Sequence, residues 1–397
     1  MAVYGIKLIK MKKIAFLLFS LSTALIAAQS ALYNNGNLRI HEGGAIGFHT
    51  HLINESPLDN NLGLAGFYGP ALLTVSGSIT PQFYDMEIAL ENNMQLNLGM
   101  DNVGNTNFIF GNISTNLSQP DIFYNFINSS FYSGENDFSK IEGYAAITNQ
   151  QNFGFPIGDA QYLRPLVIKS ESVNLFAKCA YFFENPNNPT SLPETFNTTS
   201  TALDVENVST VEFWRLEGSI SSTVSLSWNP RSAMANLTDD IALIIPVGWH
   251  KTLKEWVNLS NGASLGSLNE GITTTTAFIP DDYEVITLGT SKKPYEPLSK
   301  KVLTLDNFYV SVNGDGVNDS FFIEELQEFN SNLVQIYDRY GLKVFEKTDY
   351  LDDFVGFSNI NNVPFGAKEG LPSGVYFYTI YIPEEDLQYQ GFLYLTR

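Results

Sequence analysis

The sequence predicts an all-β chain, and three observations carry that prediction. Apolar and polar residues alternate in short phrases: Val75, Gly77 and Ile79 lie opposite Ser76 and Ser78, Val224, Leu226 and Trp228 alternate with Ser225 and Ser227, and Val285, Thr287 and Gly289 alternate with Ile286 and Leu288. Turn residues recur roughly every eight to twelve positions (Asn35-Gly36, Glu42-Gly43-Gly44, Asn92-Asn93, Val103-Gly104-Asn105, Asn261-Gly262), the spacing of sandwiches, barrels and β-solenoids. Beyond residue 30 no stretch shows a convincing helical period, and Thr, Asn and Ser dominate the polar positions, as suits strands and turns.

The segment 1–28 is the first element, and it reads as a secretory signal peptide. Lys7, Lys10, Lys12 and Lys13 precede an apolar run over 14–28 that ends in small residues. That run is about fifteen residues, short of the about twenty that span a bilayer. Cleavage is expected near Ala28, Met11 is an alternative start, and the absence of a cysteine after the apolar run speaks against a lipoprotein. No later run is apolar enough for a membrane helix, so a secreted mature chain is expected.

Composition narrows the function. The chain has 397 residues with 22 Lys+Arg against 42 Asp+Glu, a net charge of −20, and without the four leading lysines 18 − 42 = −24. So acidic a surface repels phosphate backbones and anionic lipids, which excludes nucleic acid as a partner class and disfavours peripheral membrane binding. With 44% hydrophobic and 13% aromatic residues the chain can build sizeable cores. The single cysteine, Cys179, precludes an intrachain disulfide and a cysteine zinc site. Its apolar strand context reads as a buried hydrophobe in preference to a nucleophile.

Three units follow the signal. Residues 29–150 are rich in Gly and Asn, with strand-like phrases at 73–77, 84–88, 94–98 and 107–111. Stacked short rungs with Asn turns would make a solenoid, and a flat sandwich is the competing arrangement. Residues 151–290 hold all four tryptophans, Trp214, Trp228, Trp249 and Trp256, and read as a β-sandwich. The polar, two-proline stretch 291–298 reads as a linker, and 299–397 has the size of a small sandwich. The phrases Phe83-Tyr84-Asp85-Met86-Glu87-Ile88, Phe155-Pro156-Ile157-Gly158-Asp159 and Arg164-Pro165 resemble the amino-terminal regions of Bacteroidetes surface proteins. That resemblance implies a β-helical start handing over to a sandwich near residue 160.

The last unit carries the most specific motifs. In Asn313-Gly314-Asp315-Gly316-Val317-Asn318-Asp319 the glycines permit positive φ and the Asn and Asp side chains can bond nearby amides. Two readings stay open: a self-bonded Asx turn, or a calcium site using Asn313, Asp315, Asn318 and Asp319, although Val317 breaks the spacing of an EF-hand loop. Residues 333–345 read as a hairpin turning at Asp338-Arg339-Tyr340-Gly341. Gly374 opens a strand containing Tyr376 and Tyr378, and a final strand contains Gly391. In this order these phrases resemble the gliding-motility-associated carboxy-terminal domain, the type B targeting domain of the type IX secretion system. Ser311-Val312 stands where that family usually has Thr-Pro, and Phe354-Val355-Gly356 where it has Trp-Asp-Gly. The resemblance implies an Ig-like β-sandwich and export through the Sec system and then the outer-membrane translocon. It implies the translocon and its accessory proteins as partners and a place on the outer surface of a Gram-negative cell or in the medium.

Catalytic constellations are weak. His49 and His51, two apart, would share a strand face and could share a metal, but no third ligand is spaced to join them. Asp281-Asp282 and Asp352-Asp353 read as solvated turn acids, and no nucleophile elbow, HExxH motif or P-loop is present. The expectation is a non-enzymatic surface protein, a gliding- or attachment-associated adapter or adhesin component with other surface proteins or glycans as partners. The alternative is an exported carbohydrate-binding or hydrolytic protein using aromatics such as Trp249 and Trp256 as sugar platforms. An outer-membrane barrel is disfavoured by the lack of ten-residue dyad repeats and by continuous apolar runs such as 241–247.

Overall fold

The computed structural model describes residues 31–292 and 308–397, apart from 261, 263, 324, 325, 327, 328, 330, 361–369 and 384–386. The signal segment 1–28, residues 293–298 of the linker and residue 299, where the last unit was expected to begin, therefore lie outside the described residues.

From residue 31 the chain coils rather than forming a flat sandwich. One coil places Leu64–Gly69, Leu73–Gly77 and Gln82–Phe83 in three different sheets, and the next places Asp85–Leu90, Met94–Leu96 and Met100–Asn102 beside them. Each strand pairs in parallel with its equivalent one coil on, which is the geometry of a parallel β-helix. Ala45 pairs with Leu64 and Leu64 with Asp85, advances of 64 − 45 = 19 and 85 − 64 = 21 residues. Ile113 pairs with Ile141, 141 − 113 = 28 residues on. The corners absorb these differences, which is why no formal repeat shows in the sequence.

Apolar columns fill the coil. Phe48, Phe67, Ile88 and Phe108 stand in register up one wall, with the Phe48 and Phe67 rings stacked 4.7 Å apart. Leu73, Met94, Ile113, Ile141 and Ile157 form a second column. All nine side chains are at most 3% exposed. Buried asparagines knit the corners: Asn34 Nδ2 donates to Asn54 Oδ1 at 2.6 Å, and Asn54 Nδ2 donates to the Ile79 carbonyl at 2.6 Å. A coil has no flanking strand at its turns, so these amides satisfy backbone groups that the ladders leave over.

The third sheet of the coil does not end with it. Tyr144–Thr148 pairs in parallel with Tyr124–Ile127 on one side and antiparallel with Ala177–Phe182 on the other, so one ten-stranded sheet runs from the β-helix into the sandwich. Opposite it lies a five-stranded sheet containing Gln150–Phe155, Leu166–Asn174 and Ser222–Trp228. Cys179, Tyr181 and Trp214 from one sheet meet Ile168, Leu226 and Trp228 from the other in a core continuous with the coil. All four tryptophans are buried, at 6% exposure or less, so neither Trp249 nor Trp256 is a sugar platform.

Among the described residues the last unit has its own core and one five-stranded sheet, in the order Phe308–Ser311, Leu387–Thr396, Gly374–Ile382, Leu333–Asp338, Lys343–Thr348. Where the resemblance implies a second sheet, the described residues that cover the core face are Phe321, Ile323, Leu326, Tyr350, Phe354 and Leu371 from connecting segments. The opposite face rests on the sandwich through Phe377, which packs with Leu265 and Ile272, and through Gln390 Nε2, which donates to the Ser264 carbonyl at 3.1 Å.

Candidate functional site

The loop 313–319 holds itself together. Asp319 Oδ1 accepts from the Asn313 and Gly314 amides, and its Oδ2 from Gly316, at 2.7–3.2 Å. Asp315 Oδ1 accepts from the Val317 amide and Oδ2 from Asn313 Nδ2, while Asn313 Oδ1 accepts from the Asp315 amide. Asn318 takes a left-handed φ of 56° and its carbonyl accepts from Ser311. The amides of Gly314 and then Gly316 hold the Asp319 carboxyl below the usual range, because they bond only its ionised form. Every side-chain oxygen of Asn313, Asp315 and Asp319 already faces an N–H donor. Among the described residues no three His, Cys, Asp or Glu side chains gather as a metal site. The donors present fit the self-bonded Asx turn.

The hairpin between Leu333–Asp338 and Lys343–Thr348 is built by its turn residues. Asp338 Oδ1 accepts from the Tyr340 and Leu342 amides, both at 2.9 Å, and Gly341 supplies the positive φ of 89° that the reversal needs. Arg339 lies exposed, its guanidinium 4.7 Å from the centre of the Tyr340 ring. Tyr378 and Gly391 are cross-strand partners, and a Cβ at Gly391 would lie 2.4 Å from the Tyr378 hydroxyl. The glycine therefore makes room for the ring that fills the middle of the core. Before the strand that Gly374 opens, the 371–373 turn is pinned by the Tyr376 hydroxyl donating to the Pro372 carbonyl at 2.8 Å. In place of Trp-Asp-Gly, Phe354 is fully buried and the Gly356 carbonyl accepts from the Leu371 amide and from Arg397. The aromatic and the turn are kept, so the departure leaves the packing intact.

Residues 303–395 match the family described as CHU_C Type IX secretion signal domain. The carboxy-terminal unit belongs to that family. No curated protein and no solved structure matches the chain. The type IX secretion signal domain makes this an exported protein, delivered by that system to the cell surface or beyond, and makes the secretion machinery a partner. The motif residues of the signal domain divide by role. Gly314, Gly316, Gly341 and Gly391 shape turns and a close approach, Tyr376 and Tyr378 build the core, and Arg339, like Asp315, presents a charged group at the surface.

Outside the signal domain the candidate ligands are separated. His49 follows the strand Ala45–Phe48 and His51 begins the strand His51–Asn54, so a corner divides them and they do not share a strand face. His49 lies against Tyr68, and His51 Nδ1 accepts from the Thr74 amide at 3.0 Å. Asp281 caps the Gly218 amide at 2.9 Å, and Asp353 pairs with Lys347. Cys179 is fully buried, and burial pushes its thiol pKa up, away from nucleophilic chemistry.

Sequence reading missed a buried charge network at the junction of β-helix and sandwich. The Arg164 guanidinium donates to Glu212 at 2.8 Å, to the Ser227 carbonyl and to Ser232, with both ionic side chains at most 2% exposed. Tyr181 donates to the other Glu212 oxygen at 2.6 Å, and Arg231 pairs with Asp159. Asp159 and Arg164 are the polar residues of the Phe-Pro-Ile-Gly-Asp and Arg-Pro phrases. Those phrases mark the handover between units; the partner Glu212 lies 48 residues from Arg164 in sequence and carries no local signal.

Proposed function

We propose that the exported chain is a non-enzymatic protein of the outer cell surface, a gliding- or attachment-associated adapter or adhesin component. One observation carries this reading: the export domain is joined to a β-helix that leaves Phe110, Phe131 and Phe138 exposed at 42%, 47% and 82%. Large exposed aromatics suit contact with another macromolecule better than turnover of a small substrate. The strongly acidic composition favours surface proteins or glycans over nucleic acid or anionic lipid.

Cross-linking intact cells, followed by affinity purification of the chain, tests the proposal. The expected result is a surface protein recovered with the chain and lost when Phe110, Phe131 and Phe138 are changed to Ser. Recovery of polysaccharide fragments with hydrolytic activity would replace this reading with the alternative, an exported carbohydrate-active protein.

A further inference from the structure

The signal domain does not hang free of its cargo. A cavity of about 360 Å³ lies between them, lined on one side by Tyr132, Glu135 and Pro156 and on the other by Asp338, Tyr340 and Tyr376. The turn at Gly341 is seated on the sandwich: a Cβ there would come within 3.0 Å of the Ser225 side chain. Ser225 and Ser227 occupy the polar positions of an alternating strand, yet they are 9% and 3% exposed. Glu135 Oε2 is buried with no hydrogen-bond partner, in a cavity shared with a second carboxyl.

We infer that the face formed by residues 132–135, 154–156 and 163–167 is a docking surface for the chain's own Asp338–Gly341 turn, and that loss of protons from the Glu135 and Asp338 carboxyls loosens this docking. A carboxylate oxygen that is buried without a donor makes its group costly to ionise. Burial pushes the Glu135 carboxyl up to about 7; its own backbone amide opposes this, Asp338 adds to it and Arg339 opposes it. Burial pushes the Asp338 carboxyl up to about 6, against the lowering effect of the Leu342 and Tyr340 amides and of Arg339. Besides the charged Arg339, the other titratable groups on these walls are the phenols of Tyr132, Tyr340 and Tyr376, all raised by burial and so neutral in this range. Asp137 stands near Tyr340 and Arg397 near Tyr376.

The sign follows from linkage. Undocked, both carboxyls meet water and titrate in the ordinary range, about 3.9–4.3. Docked, they bind protons more tightly, so docking is favoured by acid and weakens as pH rises through about 6 to 7. The docked form covers Gly341 of the signal domain, and the undocked form uncovers it. Rising pH therefore shifts the equilibrium toward a signal domain free to meet the secretion machinery.

Dyes on Leu203→Cys and Gln388→Cys of the full chain, with buried Cys179 left unlabelled, report the distance between cargo and signal domain. Between pH 5.5 and 8 the ratio of docked to undocked molecules should fall by about tenfold or more. Glu135→Gln should remove most of that dependence and raise the docked fraction at pH 8. Asp338→Asn, which retains an acceptor for the Tyr340 and Leu342 amides, should remove a smaller part. A single transfer efficiency at every pH would overturn the release, and so would an unchanged profile in both variants. A chain undocked at every pH would overturn the docking surface itself.

Discussion

Arg164 and Glu212 show what a single buried contact does here. Their charges are shielded from water on all sides, and each is held by further donors or acceptors: Ser227 and Ser232 for the arginine, Tyr181 for the glutamate. Removing one partner leaves the other charge buried and unpaired, which costs about 3–5 kcal/mol, whereas replacing both by apolar residues of similar volume is far less damaging. Glu212→Ala should therefore lower the urea-unfolding free energy by about that amount, and Arg164→Met with Glu212→Leu should recover most of it. Additive losses in that double-mutant cycle would show the pair to be uncoupled. At Asp319 the test is different. Its carboxyl pKa is held low by the Gly314 and Gly316 amides, so the stabilisation is present above the ordinary carboxylate range and is lost as pH falls through the lowered value. Amide protection at Gly314 and Gly316, followed by NMR, should disappear over that acid window. Because the oxygens of Asn313, Asp315 and Asp319 already face N–H donors, melting curves in calcium and in chelator should superimpose. A calcium-dependent rise would decide for the metal reading of the loop.

At the scale of elements, the β-helix is stabilised by columns rather than by individual strands. Its strands are two to six residues long, too short to be stable as isolated pairs, and each gains from identical positions one coil above and below. Phe67 stands between Phe48 and Ile88 in one column and also meets Phe83 edge-on. Phe67→Ala would open a cavity that neighbours fixed by their ladders cannot close, at a cost of about 3–5 kcal/mol. Circular dichroism during chemical unfolding should show the loss as a shifted midpoint with an unchanged slope; a changed slope would mean that the coil unfolds separately from the sandwich. The continuous sheet through Tyr144–Thr148 argues for one cooperative unit from residue 31 to 292, since the same strand belongs to both parts.

For the whole molecule, cargo and signal domain have separate cores, and they meet at the Leu265, Ile272 and Phe377 cluster, at the Gln390–Ser264 hydrogen bond and where the Gly341 turn rests on Ser225. A chain ending at residue 292 should accordingly remain folded, with protection of the β-helix strands unchanged, but should stay inside the cell. A reporter carrying a signal peptide and residues 299–397 should be exported. Protease shaving of intact cells distinguishes these outcomes: shaving of the truncated chain would show that the cargo carries its own address, and an inaccessible reporter would show that the last unit does not suffice.

Much of this molecule was legible because its signals are local. Strand alternation, the Asp338–Gly341 turn and each separate targeting motif are contained within a few residues, so sequence alone determined the all-β class and the type IX secretion signal. Tertiary structure decided the rest. Whether short strands stack as a coil or pair as a flat sandwich depends on what stands about twenty residues away in each turn of a solenoid, and a period of two is common to both. The paired histidines were placed on one strand face because a spacing of two implies it, but a corner between them cancels the rule. Ser225 reads as a solvent-facing residue, and it is buried because another unit lies on it. Glu135 and Asp338 are 203 residues apart (338 − 135) and look like ordinary surface acids in sequence; only the fold brings them to the walls of one cavity, where desolvation gives them their coupling to pH.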